Sequence, residues 1–166
     1  MFKENKVFSS VNNVQKINED IVVYTGKPQK DFIKEYIVTY DNDFYEPLSI
    51  RVDLDVFAEK LHNLSTTFIV VYKGKVAGLL ASYFYDVQSK KGFITLVHIK
   101  REFQGRHLSS YLVKIVQTYA ESIKFKYIDL MVYRDNISAF GLYSKYGFKV
   151  INEKSRRCTM RWEFDK

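Results

Sequence analysis

NISAFGLYSKYGF, residues Asn136–Phe148, is the stretch that decides the fold. Asn136 is a good helix cap, because its side-chain oxygen can accept from the free amides of a first turn. Gly147 is a good stop. Asn136 and Tyr143 lie seven residues apart, so they share one helical face two turns apart, with the small Ala139 between them. A small residue there lets another chain or a ligand pack closely. By itself the stretch also reads as an ordinary amphipathic helix. Its neighbours add context: "YIDLMVY" (Tyr127–Tyr133) precedes it as a strand, and "FKVIN" and "CTMRWEF" follow as a hairpin.

Working toward the N-terminus, "QGRHLSS" (Gln104–Ser110) opens a helix whose stripe is Leu108, Tyr111, Leu112, Ile115, Val116, Tyr119 and Ile123. It follows the strand "FITLVHI" (Phe93–Ile99). A helix start leaves about four backbone N–H groups without partners and carries the positive end of the helix dipole. Phosphate oxygens bind well there. Gly105 allows close approach, Arg106 offers charge, and Ser109 and Ser110 offer hydroxyls. Alone, this junction is equally well read as a basic helix start.

Further upstream, Gln88–Gly92 reads as a polar turn. Lys73-Gly74 joins "TFIVVYK" to "KVAGLLASYF" as a tight hairpin. Asp53 caps a helix with Leu54, Phe57, Ala58, Leu61 and Leu64 on one face. Before it lie the irregular "DNDFYEPLSIRV" and a helix over 31–40. Gly26, Lys27 and Pro28 are expected to break the chain after a short strand at Ile21–Tyr24. The first thirty residues are the least readable, and a partly flexible start is the expectation. The order implies one domain over 1–166 of the α/β (α+β) class, a mixed and mostly antiparallel sheet flanked by helices on both faces.

Composition sets limits. A hydrophobic fraction of 46% with 27% charged residues is that of a globular domain with a real core. The net charge of +7 favours anionic partners, but the basic residues are scattered, so nucleic-acid binding is not expected. No apolar run approaches membrane-spanning length, so no membrane role is expected and the cytoplasm is the expected compartment. Cys158 alternates with Met160, Trp162 and Phe164 and reads as a core residue. The three histidines lack metal-ligand spacing, so no metal is expected.

Taken together, the two stretches resemble the GNAT N-acetyltransferase superfamily from about Thr67 to Phe164. Its second motif, N-x-x-A-x-x-L-Y-x-K-x-G-F, matches at Asn136, Ala139, Leu142, Tyr143, Lys145, Gly147 and Phe148. Its cofactor loop follows a strand ending like V-x-P-x-Y; here Ile99 and Phe103 hold the Val and Tyr places and Gln104 leads the loop. His107 stands where the family has Gly, and Ser109 where it has Gly or Ala. The resemblance implies acetyl-coenzyme A as acyl donor. The backbone of Val97 and Ile99, flanking His98, would pair with the pantetheine arm. The amides from Gln104 through Gly105, Arg106, His107 and Leu108 to Ser109 would hold the pyrophosphate. Asn136 would bind near the cofactor. Tyr143 would be the catalytic acid at the thioester sulfur, since a phenol of pKa near 10 stays protonated at neutral pH and can donate to a leaving thiolate.

The base that frees the amine is not legible. His98 stands beside the expected carbonyl, but strand alternation turns its side chain opposite to Val97 and Ile99. Thr95 faces the expected cleft but cannot act as a base, and Asp86, Glu102 and a water chain stay open. For the acceptor, "FYEPLSIR" (Phe44–Arg51) supplies Glu46 for a cationic amine and Arg51 for an anionic group. A similar Pro-Leu-Ser-x-Arg stretch in GNAT-like proteins of surface-polysaccharide synthesis makes a nucleotide-linked amino sugar one expected substrate within the small-amine class. A protein lysine or N-terminal amine, or a catalytically weak coenzyme A-binding module, are the alternatives. A homodimer is compatible with the reading.

Overall fold

The computed structural model describes residues 1–164. In chain order these form α1 (Glu4–Val7), β1 (Phe8–Lys16), β2 (Ile21–Pro28), α2 (Lys30–Thr39), a 3₁₀ turn (Asp41–Asp43), α3 (Leu48–Arg51) and α4 (Leu54–Leu64). Then come β3 (Ser65–Tyr72), β4 (Lys75–Asp86), β5 (Lys91–Ile99), a 3₁₀ turn (Arg101–Phe103), α5 (Leu108–Ser122), β6 (Tyr127–Tyr133), α6 (Ile137–Lys145), β7 (Lys149–Lys154) and β8 (Arg157–Glu163). The strands make one sheet in the order β1-β2-β3-β4-β5-β6-β8-β7. Every pairing is antiparallel except β5 with β6.

The local signals act as their chemistry requires. Lys73 and Gly74 both take positive φ, 47° and 79°, which is the turn whose twist matches its flanking strands. The Asp53 carboxylate accepts from the amides of Asp55 (2.9 Å) and Val56 (3.1 Å) and so caps α4. Cys158 and Met160 of β8 are buried in the core.

The core has two layers, one on each face of the sheet. On one, Leu108, Leu112 and Val116 of α5 pack against Phe68, Val70 and Leu80. Val113 and Ala120 of α5 are also fully buried, a wider stripe than the sequence suggested. On the other, Ile33 and Ile37 of α2 and Ala58 and Leu61 of α4 meet Ile69, Leu79 and Leu96.

Two boundaries differ from expectation. Gly26, Lys27 and Pro28 do not break the chain; they finish β2. Gly26 is there for close approach: a Cβ would stand 2.1 Å from the Ser10 carbonyl oxygen, where the β1 register shifts. Pro28 is the last strand residue, so its missing N–H costs no interior pairing. The turn before β5 is also shorter than Gln88–Gly92, because Lys91 already pairs with Asp86 and Tyr127. The polar "FSSVNNVQK" forms the edge strand β1, largely solvent-facing and therefore without an apolar pattern to read.

Candidate active site

The site exists because β5 and β6 part. They pair only from Lys91 to Ile94 with Tyr127 to Leu130. Beyond that point β5 bulges. Ser82 of β4 pairs with Ile94 and Ala81 pairs with Leu96, leaving Thr95 as the extra residue. The bulge changes which face each side chain meets: Ile94 packs with α5, whereas Leu96 packs with α2 and α4. The strands then open a cleft of about 730 Å³, and Thr95 lines it.

The main chain of β5 is aimed into this opening. The Lys100 amide bonds to Ala77 of β4 at 2.9 Å. Backbone direction alternates along a strand, so His98 also addresses β4, while Val97 and Ile99 turn their amides and carbonyls to the cleft. The Gln104 side-chain amide holds the Ile99 carbonyl at 3.1 Å.

At the mouth of the cleft stands the start of α5. Gly105 takes φ 83°, and His107, the N-cap residue, is left-handed at φ 58°, ψ 25°. A right-handed helical conformation for His107 is thereby ruled out. Among the described residues no side chain caps α5, and its first turn holds no acidic residue. Its leading amides, including those of Leu108 and Ser109, are thus left for an anion from the cleft. Gln104, Gly105, His107, Leu108 and Ser109 all line it. The Arg106 side chain does not. Its guanidinium lies over the Tyr72 ring at 5.0 Å and bonds to the carbonyls of Glu102 (3.1 Å) and Gln104 (3.4 Å). Arg106 therefore braces the turn from behind.

Asn136 caps α6, its side-chain oxygen accepting from the Ala139 amide at 3.4 Å. Tyr143 lines the cleft, mostly buried, with its ring edge-on to Phe148 at 5.7 Å. Burial drives its phenol well above the usual value. It is a protonated donor across the physiological range.

The far end is roofed by the segment after α2. Glu46 and Arg51, read as separate recognition groups, pair with each other at 3.2 Å. Glu46 also reaches Tyr133 of β6 and holds its phenol above the ordinary value by hydrogen bonding. The Tyr45 ring packs on Tyr133 at 5.3 Å. The roof thus ties α2 and α3 to the opposite wall of the cleft.

Beneath the roof lies a cluster around His98 whose other members the sequence did not reveal. His98 is 6% exposed. Its Nδ1 lies 2.7 Å from the Tyr36 hydroxyl and its Nε2 lies 3.1 Å from Asp43 Oδ2. The rings of Tyr40 and Phe44 enclose it at 5.0 and 5.2 Å. Burial holds its imidazole below the ordinary value, although Asp43 pulls the other way. Alternation does send His98 away from the Val97 and Ile99 side chains, yet both His98 and Asp43 line the cleft. The two carboxylates left open as bases in the sequence lie elsewhere. Asp86 accepts from the Ser89 amide at 3.1 Å, and Glu102 borders a separate, lysine-rich hollow near Met1. A lone histidine in an apolar strand was the one signal available, since a buried imidazole needs polar partners. Asp43, 55 residues away, carried none.

Among the described residues, no His, Cys, Asp and Glu side chains gather in threes to hold a metal ion, and no helix is long and apolar enough to cross a membrane.

The fold is shared with solved acetyltransferases. The PaiA N-acetyltransferase of Thermoplasma acidophilum, solved with coenzyme A, superposes with a TM-score of 0.66 at 17% identity, over 86% of this chain and 99% of that one. The ribosomal-protein-S5-alanine acetyltransferase of Vibrio fischeri gives 0.68 at 15% identity, over 92% and 97%. In sequence, the chain is 35% identical over 72 residues to a spermine/spermidine N(1)-acetyltransferase of Bacillus subtilis, covering 42% of this chain and 47% of that protein. It therefore spans about half the length of the curated relatives it matches. Residues 31–148 match the acetyltransferase (GNAT) family model, well over half of the chain, and the chain belongs to that family.

Proposed function

We propose that the protein transfers acetyl from acetyl-coenzyme A to the primary amine of a small molecule. The observation that carries this reading is the parting of β5 from β6, which turns the Val97 and Ile99 main chain toward a cleft that the uncapped start of α5 also faces. Strand amides suit a pantetheine arm, and free helix amides suit its pyrophosphate. Hydrogen bonds to a charged partner contribute about 1.5–3 kcal/mol each, so a few of them are enough to hold it. Tyr143 supplies the proton that the departing thiolate needs.

At the acceptor end, the Asp43 carboxylate lines the cleft, which favours a cationic amine. The Bacillus relatives named for spermine and spermidine are consistent with that class. A nucleotide-linked amino sugar remains within the proposal, its phosphates meeting Arg157 on the wall. The aromatic roof speaks against a folded polypeptide as acceptor. Calorimetry with acetyl-coenzyme A, then thiol release with a polyamine, a nucleotide-linked amino sugar and an N-terminal peptide, tests the reading. Binding with thiol release on a small amine is expected. No binding at millimolar acetyl-coenzyme A overturns it, and release with the peptide alone replaces the small-amine acceptor with a protein one.

A further inference from the structure

We infer that Asp43 takes the proton from the acceptor amine, and that His98 and Tyr36 are positioning residues that aim its carboxylate into the cleft. This rests on the acetyltransferase reading above.

The hydrogen bonds assign the protons. An ionised carboxylate only accepts, so Nε2 of His98 carries the hydrogen it gives to Asp43 Oδ2. Nδ1 is then the lone-pair nitrogen and accepts from the Tyr36 hydroxyl. Burial raises the Tyr36 phenol far above its usual value, which keeps it a donor. Every bond is satisfied with a neutral imidazole. His98 has therefore no lone pair to offer the cleft, and its one acceptor nitrogen is spent on Tyr36 in the interior. The carboxylate in front of it is free to accept. Its side chain is 20% exposed against 5% for His98. Among the described residues its other oxygen meets only Arg101, at 3.4 Å, and Arg101 is 78% exposed, a pairing that water screens. Lys100, over the rings of Tyr36 and Tyr40, is a further charged neighbour. Glu46 is occupied by Arg51 and Tyr133.

The step balances. The ammonium gives one proton to Asp43 and becomes a neutral amine. Its nitrogen forms a bond to the acetyl carbon, and the carbon–sulfur bond breaks. The sulfur takes the Tyr143 proton, and the nitrogen's second proton restores the phenol. Asp43 releases its own proton to water. The sum is amide, coenzyme A thiol and one H⁺.

The test uses Asp43→Asn with two primary amines, one strongly basic and one weakly basic and already neutral at the assay pH. For the strong base, kcat/KM should fall on the order of 10²-fold, the size of a lost general base. The acetyl-coenzyme A Kd should be unchanged. With the weakly basic amine the loss should shrink to within about tenfold, because solution has already removed its proton. A loss of equal size for both amines, or a rate within about threefold of wild type for both, overturns the inference. His98→Leu should approach the Asp43→Asn loss, and His98→Gln, which keeps an N–H donor, should recover most of it. Equal losses in the two His98 variants count against positioning. Tyr36→Phe deletes the hydroxyl that holds His98 Nδ1, so its kcat/KM loss should be larger for the strongly basic amine than for the weakly basic one; an equal loss for both amines overturns the inference even where other variants fold poorly. Wild type that turns over neither amine sinks the acetyltransferase reading, and this one with it.

Discussion

His107 holds a left-handed conformation that a non-glycine residue adopts at a cost of about 1–2 kcal/mol. The cleft-facing α5 amides depend on that conformation. His107→Gly keeps the turn and removes the strain, so acetyl-coenzyme A binding should be preserved or tighter, with a gain of up to about 1 kcal/mol offset in part by glycine's chain entropy. Calorimetry checks the first and a thermal melt the second; a large loss of affinity would make the imidazole itself a ligand. Tyr143 is governed by burial instead. Tyr143→Phe keeps the ring against Phe148 and deletes the donor, so turnover should fall by about 10²-fold while the cofactor Kd stays within about twofold. An unchanged rate would remove its acid role.

At the scale of elements, the caps were readable and the bulge was not. Asp53 and Asn136 each bond an amide of the helix they start, and both follow from residue type and spacing. Asp53→Ala should cost about 1 kcal/mol of stability, measured by denaturant melts, with activity unchanged because α4 lies outside the cleft. The bulge at Thr95 leaves no mark in "FITLVHI", whose apolar run suits a regular strand equally well. It shows only as side chains of the same parity meeting opposite faces, Ile94 one way and Leu96 the other. Strand β1 was unreadable for a related reason. An edge strand exposed on most of its length needs no alternation.

At the scale of the molecule, the two core layers meet across β5, and His98 is a titratable group buried between strand and helix. Its pKa is depressed in the folded state, so below about pH 6.5 the unfolded chain binds more protons than the folded one. The stability from keeping this imidazole neutral is present above that pH and is lost as pH falls toward the folded value. Thermal melts between about pH 7.5 and pH 5 should show a decline that His98→Gln makes shallower. An identical decline in both proteins would mean that the imidazole titrates as it does in the unfolded chain.

What the sequence determined by itself is local and periodic: the α5 stripe, the Lys73-Gly74 turn, the Asn136–Phe148 helix and the order of strands and helices from β3 to β8. From these, with the motif resemblance, the family followed. What the tertiary structure alone decided is which long-range neighbours meet. Arg106 turned to Tyr72, Glu46 and Arg51 neutralised each other, and Asp43 came to stand in front of His98. The reason is physical. Helix caps, turns and stripes are set by residues within a few positions of one another. A buried hydrogen bond across 55 or 62 residues is set only when two core layers close on one strand.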